Sequence, residues 1–197
     1  MYPKSFKKLI DYFASLPSVG PKMAERLVLY LFKQEKETLE DFGNSLANLK
    51  NNLSDCKECF NISEGDLCQI CSDQSRDHQK ICVVEEPLDI IAIERTKKYT
   101  GIYHVLGGTL GAIKNIESKD LKLNELTKRI ADKKAKEVIL AMNPTTEGDA
   151  TALYIARMLK DSGVKITKLA RGLSTGSDLE YADEITLSSA INNRREL

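Results

Sequence analysis

The rhythm of apolar positions changes partway along the chain. In the first fifty residues Phe6, Leu9, Ile10 and Phe13 recur at helical spacing, and Met23, Leu27 and Leu31 do so again after the break Leu16-Pro17-Ser18-Val19-Gly20-Pro21. The pattern predicts two short amphipathic helices joined by a tight turn. A third helix is predicted to start near Thr38, a suitable N-cap, and to carry Leu39, Phe42, Leu46, Leu49 and Leu53 as one stripe. Such a stripe needs a surface to pack on.

Further along, short apolar runs at 81–84, 102–106, 138–141 and 164–169 read as strands. Helical stretches at 87–95, 121–133 and 150–161 separate them. This alternation predicts an α/β fold with a mostly parallel sheet and flanking helices. The organisation expected is a helical region over 1–53, a cysteine segment over 54–78, the α/β domain over 79–174 and a C-terminal segment over 175–197.

Composition narrows the class. With 42% apolar and 29% charged residues the chain is globular, and it has no apolar run of the roughly 18 residues that a membrane span needs. Met1-Tyr2-Pro3-Lys4-Ser5-Phe6 lacks the apolar core of a secretion signal, so the expected location is the cytoplasm. The 29 basic residues balance 29 acidic ones, which argues against nucleic-acid binding through bulk charge. Residues 1–36, however, hold seven Lys and Arg against three Asp and Glu, a local excess of four that can meet phosphate.

Two C-x-x-C pairs, Cys56/Cys59 and Cys68/Cys71, are separated by eight residues. Each can place two thiolates on one turn, and together they supply the tetrahedral four-sulfur shell that zinc prefers. Four thiolates leave no open coordination position, so one structural zinc is expected. Cys82, in the apolar run Ile81-Cys82-Val83-Val84, reads as a buried core thiol.

The turn at Leu16–Ala24 carries a second chemistry. Gly20 is expected to adopt a backbone conformation closed to other residues, and Pro21 suits the first helical position. The turn would then aim free N–H groups at a phosphate, with Lys22 and Arg26 adding charge. Readout of this kind ignores base sequence.

Acids gather after two of the strands: Glu85 and Glu86 after the first, and Glu147 and Asp149 after the third, by way of Asn143-Pro144-Thr145-Thr146. The C-terminal ends of parallel strands share one edge, where open α/β folds bind ligands. Carboxylates there suit Mg²⁺; equally, Glu147 and Asp149 are favourable charges at a helix N-terminus. An Mg²⁺-dependent nuclease or primase-like enzyme built on Glu85, Glu147 and Asp149 is the alternative to a binding protein. His78 falls in a polar connection, and His104 within an apolar strand reads as a packed ring.

The turn resembles the helix-hairpin-helix DNA-binding motif, which usually has glycine where this chain has Ser18. The acid pattern is similar to a Toprim domain, although catalytic members carry two aspartates where this chain has Glu147 and Asp149. Adding the zinc segment, Tyr103-His104-Val105-Leu106-Gly107-Gly108, the run from Asn143 to Ala152 and Asp178-Leu179-Glu180-Tyr181-Ala182-Asp183, the whole chain resembles the bacterial recombination mediators of the RecR family. The resemblance implies a non-enzymatic protein that forms a homotetrameric ring around DNA. It implies RecO and RecF as partners, with RecO contacting the acidic edge, and assistance to RecA in loading onto single-stranded gaps covered by single-strand-binding protein.

Overall fold

A computed structural model of the chain describes residues 2–111, 117–194 and 196. It divides into two compact units, Met1–Asn52 and Leu53–Leu197. None of the described helices is long and apolar enough to cross a membrane.

The first unit is helical: α1 (Lys4–Ala14), α2 (Pro21–Phe32), α3 (Lys36–Ala47) and α4 (Leu49–Asn52). Ile10 of α1 meets Ala24 and Val28 of α2 in a small core, flanked by Phe6, Phe13 and Val19. Helix α3 starts two residues before Thr38, and Glu35 holds the N-cap position in an extended conformation. The stripe predicted to run to Leu53 is broken. Asn48 leaves the helical range at φ −94°, ψ 3°, and its side chain donates to the Asn44 carbonyl at 2.9 Å, a side-chain bond that competes with helix propagation. Phe42, Leu46 and Leu49 remain exposed within this unit.

In the second unit a two-stranded hairpin, β1 (Ser54–Asp55) and β2 (Ile62–Ser63), and the short helix α5 (Gln69–Ser72) carry the cysteines. They lead into a parallel sheet of β3 (Asp77–Val84), β4 (Gly101–Val105), β5 (Glu137–Ala141) and β6 (Lys165–Lys168), ordered β4-β3-β5-β6. Helices α6 (Pro87–Glu94), α7 (Leu123–Lys133) and α8 (Thr146–Met158) follow β3, precede β5 and follow β5. A last helix, α9 (Glu184–Asn192), lies near the C-terminus.

The two-residue alternation of β3 sorts the layers. Ile81 and Val83 pack with Leu126 and Ile130 of α7 and Ile155 of α8. Cys82 and Val84 face the other way, with Ile90 of α6 and Phe60 of the cysteine segment. Cys82 is thus the buried core thiol expected, its pKa pushed up to about 12 by burial.

Two boundaries differ from the sequence pattern in ways that matter. Strand β3 begins at Asp77 and takes in His78, which polarity had assigned to a connection; parallel pairing reaches down to Asp77↔Gly101 and Lys80↔Glu137. Helix α8 begins at Thr146 instead of Ala150, because the Thr145 side chain accepts a bond from the Gly148 N–H at 3.0 Å and caps it. Glu147 and Asp149 therefore lie in its first turn.

Candidate functional site

The four sulfurs of Cys56, Cys59, Cys68 and Cys71 lie within 4.8 Å of one another, all on buried, unbridged residues. Four Zn–S bonds in a tetrahedron place sulfurs about 3.8 Å apart, so the cluster fits the ion. The cage is closed by backbone: the Cys56 N–H donates to Asn61 O at 2.7 Å and the Phe60 N–H to Cys56 O at 2.9 Å. Hydrogen bonding to Cys68 and burial push the Cys59 thiol pKa up, while accepting those bonds holds Cys68 down. Thiols packed this closely cannot all ionise without a cation among them, which is what zinc supplies. The zinc segment is also fastened to the sheet. The Val105 N–H of β4 donates to Cys59 O at 2.8 Å, and Phe60 meets the His104 ring edge-on.

His104 is fully buried, as its apolar strand suggested. Its Nε2 lies 2.8 Å from the Lys122 carbonyl, which can only accept, so Nε2 carries the proton. Nδ1 has no partner among the described residues, and burial lowers the ring's pKa to about 4.

In the hairpin between α1 and α2, Gly20 does not play the part expected of it. Its φ of −80° and ψ of 165° are extended backbone open to any residue, and a Cβ there would meet nothing within 4 Å. The left-handed residue is Ser18, at φ 63°. This explains why glycine is usual at that position in the motif: the requirement is conformational. Gly20 instead takes the N-cap position of α2, followed by Pro21 at the first helical position. The amides of Lys22 and Met23 have no acceptor among the described residues, and the exposed side chains of Lys22 and Arg26 form no ion pair there.

The strand ends align through the pairs Val84↔Val105 and Val84↔Ala141. The chain leaves β3 toward β4 and leaves β5 toward β6, so the space between β3 and β5 is the switch point of the sheet. Glu85 stands there and accepts from the Asn143 N–H and from Asn143 Nδ2. Asp149 accepts from Lys168 Nζ at 2.6 Å and also from Arg171, and these cations hold its carboxyl below the usual range. Glu147 is half-buried, near Gly111. The fold thus brings the three acids to one edge without clustering their oxygens. Among the described residues the four cysteines are the one group of three or more metal-ligating side chains within reach of a common ion. The acid pattern carries no sign of Lys168 and Arg171, and it marks Asn143 only as part of the connection to Glu147.

A helical hairpin, a four-sulfur centre and a parallel sheet with an acid-bearing edge define a zinc-containing, DNA-binding protein of the Toprim class. Family models match in this order: RecR, helix-hairpin-helix over residues 6–50; RecR, four-cysteine zinc finger domain over 52–73; Toprim domain over 79–170; and RecR, C-terminal over 172–195. The chain belongs to the RecR family, recombination mediators of DNA repair.

Proposed function

We propose that this protein is a non-enzymatic DNA clamp that acts with RecO and RecF to help RecA load onto gapped single-stranded DNA. The observation that carries the reading is the N-terminus of α2. Two amides without an acceptor among the described residues, at Lys22 and Met23, share one turn of surface with the Lys22 and Arg26 side chains. Amides and cations of this kind hold phosphate oxygens and have no evident route to base edges. Gly20 leaves the approach to those amides free of side-chain bulk.

Assembly into a homotetrameric ring is supported by apolar side chains that the helical unit leaves uncovered, among them Phe32 at 77% exposure and Leu46 at 64%. Exposed surface of that kind fits association between copies. At the sheet edge Lys168 and Arg171 already offset Asp149, so Glu85 and Glu147 remain to present negative charge to a DNA-binding partner such as RecO. The same engagement of Asp149 argues against a Mg²⁺-centred reaction.

The test is the salt dependence of DNA affinity. Lys22→Ala should weaken binding to all sequences alike and reduce the slope of log K against log salt by about one unit for duplex DNA. An unchanged slope removes the hairpin from the interface. Mg²⁺-dependent nicking of plasmid by the pure protein, lost in Glu147→Gln, would favour the enzyme reading.

A further inference from the structure

Arg129 stands in α7, 58 positions beyond Cys71 in the sequence, yet its side chain is only 5% exposed. Its Nη1 donates to the Tyr103 carbonyl of β4, and its Nη2 lies 3.2 Å from Cys71 Sγ. The nearest carboxylate, Glu58, is 3.6 Å away, beyond hydrogen-bond reach, and is shared with Lys133 at 3.0 Å. A buried guanidinium requires a counter-charge and hydrogen-bond acceptors. The sulfur is the acceptor of formal negative charge that it touches.

We propose that Arg129 is an outer-sphere partner of the zinc centre, a positioning residue that tunes the metal through Cys71. Zinc with four thiolates carries a net charge of about −2, which a buried site must offset. Arg129 supplies a positive charge and a hydrogen bond to one sulfur, strengthening zinc retention and drawing electron density from the Cys71 thiolate. Its second bond, to Tyr103 O, makes the same side chain a tie between the zinc segment and the edge strand of the sheet. Glu58, on the zinc turn, adds a negative charge at 3.6 Å, which Lys133 offsets.

A purely architectural role for Arg129 would tie the segments together without touching the electronic state of sulfur. The two are separated with the full-length protein loaded with Co²⁺ or Zn²⁺. In Arg129→Met, zinc affinity by chelator competition should fall about 10- to 100-fold. The thiolate-to-cobalt charge-transfer band should move to lower energy, because an unbonded thiolate is the better electron donor. Arg129→Lys, which keeps the charge but not the fork, should recover part of the affinity. Should Arg129→Met fail to fold, Arg129→Gln is read in its place, since it retains a donor for the Tyr103 carbonyl. A folded neutral variant with wild-type zinc affinity overturns the proposal. So does one whose affinity falls while the cobalt band stays at its wild-type position.

Discussion

Glu85 accepts two hydrogen bonds from Asn143, one from its backbone N–H at 2.6 Å and one from its side-chain Nδ2 at 2.8 Å. The two residues lie 58 positions apart and belong to neighbouring strand ends, so the pair closes the switch point of the sheet. Glu85 thereby fixes the loop that delivers Glu147 and Asp149.

The cradle around that pair leaves no room for a side chain at Gly148. A Cβ there would lie 2.2 Å from the Asn143 carbonyl and 3.2 Å from Glu85 Oε1. Gly148→Ala is expected to displace the Asn143 loop and to destabilise the fold by about 2 kcal/mol, as overpacking does. Denaturant unfolding checks the magnitude. A variant as stable as the parent would mean that the loop yields without cost.

Cys59→Ser should abolish stoichiometric zinc binding and loosen more than its own turn. The Cys59 carbonyl receives the Val105 N–H, and Phe60 packs on His104, so hydrogen exchange should rise both in the cysteine segment and along β4. Metal binding and folding are coupled in small sites of this kind. Elemental analysis should give one zinc per chain in the parent. Exchange confined to the cysteine segment would show that the sheet does not depend on the metal.

At Ser18 the backbone sits at φ 63°, a region that costs a residue with a Cβ about 1–2 kcal/mol. Ser18→Gly relieves that strain but gives the unfolded chain more freedom, an opposing effect of about 0.4–1 kcal/mol. The expected net result is a gain of a few tenths to about 1 kcal/mol in stability. A clear fall in melting temperature would contradict it.

His104 makes stability depend on pH. Its folded pKa of about 4 lies below the ordinary 6.5, so the unfolded chain binds the proton more readily. The contribution is complete above about pH 6.5 and is lost as pH falls through the folded value, an effect on the order of 3 kcal/mol. Zinc release adds to the loss in acid, so the comparison is between the parent and His104→Gln, whose unfolding free energy should vary less between pH 7 and pH 5. Equal slopes would mean that the ring titrates normally.

What the sequence disclosed followed the reach of each signal. The cysteine spacing is local, and it led directly to the sulfur cluster; the strand runs are local too, and their order gave the parallel sheet. The role of Gly20 is not legible in the same way, because residue type says which position can take a left-handed turn and not which one does, and here Ser18 takes it. The start of α8 was placed late because its cap, Thr145, lies in a stretch whose proline and polar residues read as loop. Arg129 was invisible, since nothing in a helix of alternating charge marks the one cation that folding carries to a sulfur 58 positions away.

Strand β4 forms one border of the sheet. Its Val105 N–H points away from β3, and the Cys59 carbonyl is what meets it. An uncovered strand border is a template on which other chains add, and proteins blunt such borders with loops. The cysteine segment is that loop, and its shape depends on a metal. Zinc thus has a second consequence beyond local order: by shaping the loop that holds the Cys59 carbonyl, it keeps the Val105 N–H on that border engaged and closed to a strand of another chain.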